Sequence, residues 1–81
     1  MLPTIHRNGT SRDSLLESAR SAFDAIDNAI NEYRATCPNG RDYYPQGPEA
    51  LGLALKKHQA NLKALEAIKS ELMEMQEHLC S

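Results

Sequence analysis

Hydrophobic residues in the first half of the chain recur at intervals of four and three positions. The main row is Leu15, Ala19, Ala22, Ile26, Ala29 and Tyr33. A second row, with a spacing of seven, contains Leu16, Phe23 and Ile30. Together they form a broad apolar stripe, which is typical of a helix packed along one side. The pattern predicts a helix over about 11–35, which should end there because Pro38 disfavours helical geometry at Cys37.

The second half of the chain carries a leucine-rich row with a spacing of seven residues. Its members are Leu51, His58, Leu65, Leu72 and Leu79. A neighbouring row, with one phase slip, contains Leu55, Leu62, Ile68 and Met75. This spacing is typical of the seam of a helix bundle or coiled coil. It predicts a helix over about 48–79 after a loop at 36–47, with Pro48 suited to the first helical turn.

The two predicted helices differ in length, at about 45 Å for the second and about 37 Å for the first. The second should therefore extend past the first. Its surplus end carries Met73, Met75 and Leu79. We expect these residues to pack on Leu2 and Ile5 or on another subunit.

A single copy of this hairpin can build only a thin hydrophobic core. The chain has 81 residues, no Trp, and four aromatic side chains of the Phe and Tyr types. The predicted fold class is all-α, with one domain over 1–81. It is an antiparallel two-helix hairpin that completes a helical bundle by homo-oligomerisation. Because two-fold symmetry is the commonest solution, we expect a homodimer or a dimer of dimers.

Charge and composition exclude several classes of partner. The formal net charge is −2, and nucleic-acid binders usually show a basic excess or a basic face, so we expect no duplex nucleic acid. No run approaches the roughly 18 apolar residues of a membrane span, so we expect no membrane partner. The first ten residues lack the apolar run of a signal peptide, and two cysteines do not make a disulfide framework. These features favour a cytoplasmic protein.

The connection between the helices is the first candidate binding site. A simple helix–helix connection needs only about two to eight residues, whereas 37–48 is longer and rich in polar and aromatic side chains. The candidate ligand-binding residues here are Asn39, Arg41, Asp42, Tyr43, Tyr44 and Gln46. Arginine offers a planar fork for phosphate, and tyrosine offers a flat face for a base. Alternatively, both tyrosines pack over the end of the hairpin and Arg41 pairs with Asp42 or Glu49.

The start of the first helix is the second candidate, as an anion seat. A glycine-containing turn that leads into a helix presents unpaired N–H groups, to which arginine adds positive charge. The residues concerned are Arg7, Gly9, Thr10, Ser11 and Arg12. The alternative is an ordinary helix cap, either Thr10 with Asp13 or Ser11. In an antiparallel dimer, a composite site could join Arg12 of one chain to Arg41 and Tyr43 of the other.

His58 lies within the leucine row. The sequence favours a neutral, hydrogen-bonded core histidine; the alternative is a histidine that faces its own copy and makes assembly sensitive to acid. The fragment His78-x-Cys80 falls short of the three or four ligands of a zinc site. No nucleophile elbow, HExxH or P-loop is present. We therefore expect no metal, no cofactor and no enzymatic activity.

Two strings occur together here, Asn8-Gly9-Thr10-Ser11-Arg12 before the first helix and 39–47, NGRDYYPQG, before the second. The combination resembles a group of short phage and prophage helical proteins, over residues 7–79. The resemblance implies a viral accessory protein made in the cytoplasm of an infected bacterium. In size, helical content and expected oligomeric build, the chain is also similar to phage anti-defence sponges, which sequester nucleotide signals. That likeness is one of architecture alone.

These observations lead to one principal hypothesis and one alternative. The principal hypothesis is a non-enzymatic anti-defence protein that sequesters a small anionic, nucleotide-like molecule between subunits. Arg41 and Arg12 would hold phosphate, Tyr43 or Tyr44 would stack on a base, and Asn39 and Gln46 would read its edges. The alternative is a protein-binding inhibitor or adaptor that acts on a host or phage protein, or a component of virion assembly.

Overall fold

A computed structural model describes residues 2–80, and all its regular structure is helical. Helix α1 spans Arg12–Arg34, the short helix α2 spans Gly40–Tyr43, and helix α3 spans Ala50–Cys80. A 3-10 turn at Tyr44–Gln46 follows α2 directly. No strand occurs in the described residues. The all-α fold class is confirmed.

Ser11 caps the N-terminus of α1. The Ser14 backbone N–H donates to the Ser11 hydroxyl at 3.2 Å, and Asp13 places a negative charge in the first turn. Of the two predicted caps, the structure therefore uses Ser11 and not Thr10. At the other end the helix tightens before it stops, since the Thr36 backbone N–H donates to the Tyr33 carbonyl at 2.9 Å and the Thr36 hydroxyl donates to it at 2.7 Å.

The connection between α1 and α3 is more ordered than the predicted loop at 36–47. Asn39 caps α2, and Pro45 lies within the 3-10 turn, where its fixed φ is compatible with helical backbone. Gly47 then adopts a φ of 109°, which reverses the chain into α3 and strongly favours glycine. Helix α3 begins at Ala50 rather than at 48, because Pro48 and Glu49 form a turn.

Helices α1 and α3 pack along each other as an antiparallel pair, and the core between them is thin. Among the described residues, the buried hydrophobic side chains are Ala19, Ile30 and Leu79. His58, at 6% exposure, is buried with them. Most of the remaining stripe residues are only half-buried, so a single copy leaves much of its apolar surface in contact with solvent.

The N-terminal segment reaches the far end of α3. The His78 Nε2–H donates to the Pro3 carbonyl at 2.9 Å, and the neighbouring Leu79 is only 2% exposed. Within this segment the Gly9 N–H donates to the His6 carbonyl, and a methyl group on Gly9 would come within 2.6 Å of the His6 ring. The surplus end of α3 is thus partly covered by its own chain.

The molecule is a rod rather than a sphere. Its extents are 60 × 19 × 19 Å and its radius of gyration is 18.2 Å. A compact domain of this length would have a radius of gyration of about 12 Å. Two helices side by side account for the difference, because no third layer folds back over them.

Candidate functional site

The segment Asn39–Gln46 is held in shape by hydrogen bonds between its own residues. The Asp42 backbone N–H donates to Asn39 Oδ1 at 3.2 Å, and Asn39 Nδ2 donates to Asp42 Oδ2 at 2.9 Å. This reciprocal pair caps α2 and fixes the two side chains against each other. Asn39, which the sequence suggested as a reader of base edges, uses both of its polar atoms in this cap.

Arg41 and Tyr44 project from this ordered segment into solvent. Tyr44 is 84% exposed, the highest value among the large hydrophobic side chains of the described residues. Arg41 is also exposed, and no carboxylate in residues 2–80 lies within salt-bridge distance of it, so the expected pairing with Asp42 or Glu49 does not form. Side chains three residues apart on a helical backbone are neighbours, so the guanidinium and the phenol ring share one side of the segment.

A groove of about 380 Å³ separates this segment from the start of α3. The lining residues are Gly40, Tyr43, Tyr44, Gly47, Pro48 and Leu51. The walls are mostly apolar, with the half-buried Tyr43 on one side and Leu51 on the other. Gln46 is exposed beside the groove rather than in its lining. The sequence offered the alternative that both tyrosines pack over the end of the hairpin. Tyr43 is half-buried there, whereas Tyr44 is exposed.

The second candidate, at Arg7–Arg12, lies at the opposite end of the hairpin. Helix α1 has 23 residues, which places about 34 Å between its two ends. Arg7, Thr10 and Arg12 are exposed, while the Ser11 hydroxyl is engaged as the helix cap. One chain therefore does not bring Arg12 together with Arg41 and Tyr43.

His58 stacks on Tyr33, a contact that the sequence did not reveal. The ring centroids are 4.6 Å apart and the planes differ by 20°. The Tyr33 hydroxyl also accepts a hydrogen bond from Asn61 Nδ2 at 2.8 Å. The spacing of apolar residues placed both rings on the buried stripes, but only the relative register of the two helices determines that they meet.

A second groove, also missed from the sequence, runs along one side of the helix pair and has a volume of about 420 Å³. Phe23 and Met73 form its apolar part, and Glu66, Glu74 and Glu77 lie around it. Lys69 crosses it, with its Nζ 2.7 Å from Asp27 Oδ1 and 5.5 Å from the centre of the Phe23 ring. The hydrogen bond to Asp27 raises the pKa of Lys69. Met73, at 42% exposure, is the exposed hydrophobic residue in the lining of this groove.

The described residues offer no assembled centre for metal chemistry. Within residues 2–80, no three side chains of the His, Cys, Asp or Glu types converge on one point. Cys37 and Cys80 are both free thiols at exposed positions. No helix in this part of the chain is long and apolar enough to cross a membrane.

Comparison with known proteins adds no family to this picture. No protein-family model matches the chain, and searches of curated proteins and of solved structures give no match. The function must therefore be argued from the side chains and grooves described above.

Proposed function

We propose that this chain is a non-enzymatic binding protein that captures a small anionic, nucleotide-like molecule at the Asn39–Gln46 segment. The observation that carries the proposal is an 84% exposed tyrosine ring, Tyr44, three residues after the exposed Arg41, on a segment fixed by its own hydrogen bonds. Tyrosine combines a flat apolar ring with a polar hydroxyl, and this combination suits it to recognition at a surface.

The chemistry of the two side chains suits a nucleotide. The flat phenol ring of Tyr44 offers a stacking surface, and base–aromatic stacking contributes about 1–3 kcal/mol per base. Arg41 supplies a forked, permanently charged donor for phosphate oxygens. The adjacent groove of about 380 Å³ falls within the size range of small-molecule sites.

Part of the ligand's charge would be met by a second subunit. Arg41 alone is one cation, whereas a nucleotide with two phosphates carries at least two negative charges. Arg7 and Arg12 are exposed at the other end of the hairpin, where an antiparallel neighbour could supply them. In this arrangement Asn39 and Asp42 hold the segment in place, and Tyr43 forms the wall of the groove.

The biological setting of the proposal is the cytoplasm of a phage-infected bacterium. It follows from the resemblance carried by Asn8–Arg12 and Asn39–Gly47. Capture without turnover would lower the free concentration of a nucleotide signal, which is how a sponge blunts host defence.

The proposal is tested by native mass spectrometry of the intact protein with cyclic di-GMP, cyclic di-AMP, cyclic GMP-AMP and cyclic ADP-ribose as probes. We expect one probe to add its mass to the oligomer, because the ring and the guanidinium hold base and phosphate together. Arg41→Ala and Tyr44→Ala should each weaken that binding by at least about tenfold, which corresponds to about 1.4 kcal/mol.

Arg20→Ala is the matched control, because Arg20 is an exposed arginine on the outer side of α1, far from the segment. Circular dichroism should show unchanged helical content in all three variants. Undiminished binding by Arg41→Ala, or equal loss in Arg20→Ala, would contradict the assignment. An intact oligomer that gains no mass from any probe would favour the second candidate function.

That second candidate is a protein-binding inhibitor or adaptor, and the groove beside Phe23 favours it. Its apolar floor and its acidic surroundings of Glu74 and Glu77 fit a helix that carries both apolar and basic residues.

The apolar cluster expected at the end of α3 is smaller than the sequence suggested, because Leu79 is buried and Met75 is half-buried. Met73 is the exposed residue of the three.

A further inference from the structure

Helix α3 carries a second row of residues, five apolar and two charged, of which all but the half-buried Met75 are exposed. Its members, at intervals of four, three, four, four, three and four residues, are Leu53, Lys57, Ala60, Ala64, Ile68, Glu71 and Met75. Leu53 is 67% exposed and Ile68 is 44% exposed, while Ala60 and Ala64 are exposed small residues between them. We call this set the α3 outer row.

The two long sides of the hairpin are unlike each other. One side carries the salt bridges Arg34–Glu66 at 3.0 Å and Asp27–Lys69 at 2.7 Å. At 3.6 residues per turn, the α3 outer row lies on the opposite side of the helix from Glu66. The row has only two charged members, Lys57 and Glu71.

The accessible area of the chain is larger than that of a compact monomer of the same mass. The described fold has an accessible surface of 6197 Å² at a mass of 9.0 kDa. A compact monomer of that mass would expose about 4,900 Å², so the excess is about 1,300 Å². A standard stable interface takes about 800 Å² from each partner. The excess is large enough to supply one such interface.

We propose that the α3 outer row is the interface with a second copy of this chain, packed antiparallel about a two-fold axis at Ala64. The row is symmetric about that residue. Lys57 and Glu71 each lie seven positions from it, so the lysine of one copy meets the glutamate of the other, twice. A parallel pairing would instead set lysine against lysine and glutamate against glutamate.

The apolar residues obey the same symmetry. Ala60 and Ile68 lie four positions on either side of Ala64, and Leu53 and Met75 lie eleven positions on either side. Each large side chain therefore meets a different residue of the other copy rather than itself. At the axis, the small side chains of Ala64 let the two backbones approach closely, as interdigitating helices require.

This interface is inferred from area, charge and symmetry, and does not rest on the proposed ligand. It has one consequence for the site. An antiparallel pair of α3 helices directs the Arg12 end of one hairpin toward the Asn39–Gln46 end of the other. The dimer can therefore bring Arg12 of one chain close to Arg41 of the other, which a single chain cannot do.

Cysteine cross-linking of the full chain tests both the surface and the direction. In a Cys37→Ser, Cys80→Ser background, Ala64→Cys should form a covalent dimer in most of the protein under mild oxidation, because the two copies of residue 64 meet at the axis. Leu53→Cys should stay uncross-linked, since the two copies of residue 53 would be about 33 Å apart, beyond the roughly 7 Å limit for a disulfide. The exposed Ser70, about 120° around the helix from Ala64, provides the second control as Ser70→Cys.

Each result decides the matter. Cross-linking through Leu53→Cys would overturn the antiparallel arrangement, and cross-linking through Ser70→Cys would overturn the surface. Failure of Ala64→Cys to cross-link would overturn both.

Sedimentation equilibrium provides an independent check. The unmodified chain should have twice its 9.0 kDa mass, and the Ala64→Glu variant should be a monomer with unchanged helical content. A monomeric unmodified chain would overturn the proposal.

Discussion

At the scale of single residues, Tyr33 makes two separate contacts between the long helices. Its ring stacks on His58 and its hydroxyl accepts the Asn61 hydrogen bond. The sequence showed that His58 would be buried, because a residue seven positions from each neighbouring leucine must share their side of the helix. It did not show the partner, because periodicity fixes which face of a helix is buried but not what faces it.

Tyr33→Phe isolates the hydroxyl from the ring. We expect the free energy of unfolding to fall by about 1 kcal/mol, because Asn61 loses its acceptor while the stacking on His58 is kept. Chemical denaturation followed by circular dichroism measures the change. Tyr44→Phe is the matched control and should leave stability unchanged, since that ring is 84% exposed. Equal stability of the two variants would show that the Asn61 bond contributes nothing.

At the scale of elements, the sequence pattern predicts both long helices to within a few residues and does not predict the short helix α2. Rows of apolar residues three and four apart extend over most of α1 and α3, so each turn repeats the same signal. Helix α2 has four residues, too few for any periodicity to register. Its signal was the Asn39 cap and Asp42 three positions later, a pattern equally compatible with an open turn. The candidate binding residues could therefore be chosen only by residue type, because the sequence left the local fold around them open.

The cap of α1 gives a prediction at this scale. Ser11→Ala should lower the free energy of unfolding by about 1 kcal/mol, because the Ser14 N–H loses its acceptor at the positive end of the helix. Thr10→Ala should have an effect within about 0.5 kcal/mol, the range of ordinary surface substitutions. Thermal unfolding of both variants, side by side, measures the difference. A larger loss for Thr10→Ala would mean that the helix starts one residue earlier in solution.

At the scale of the whole molecule, the thin core sets the expected behaviour. With so few side chains fully buried, the isolated hairpin has little to offset the conformational entropy of its 81 residues. The dimer that we propose would add the missing burial, and folding would then be linked to protein concentration.

The midpoint of thermal unfolding should therefore rise as the protein concentration is raised by about 100-fold, since mass action favours the assembled state. Scanning calorimetry over that range measures the rise. In Ala64→Glu the midpoint should be lower and independent of concentration, because a carboxylate at the axis meets its own copy. A midpoint of the unmodified chain that stays constant would mean that the hairpin is stable alone.

The self-contained bonding of Asn39–Gln46 has a consequence for how such a protein can change over generations. The segment closes through Asn39, Asp42 and the Gly47 N–H, and within the described residues it touches α3 but not α1. Substitutions at Arg41, Tyr44 or Gln46 leave the helix pair undisturbed. If this segment is the binding site that we propose, mutations can therefore change its specificity one position at a time without altering the helix pair.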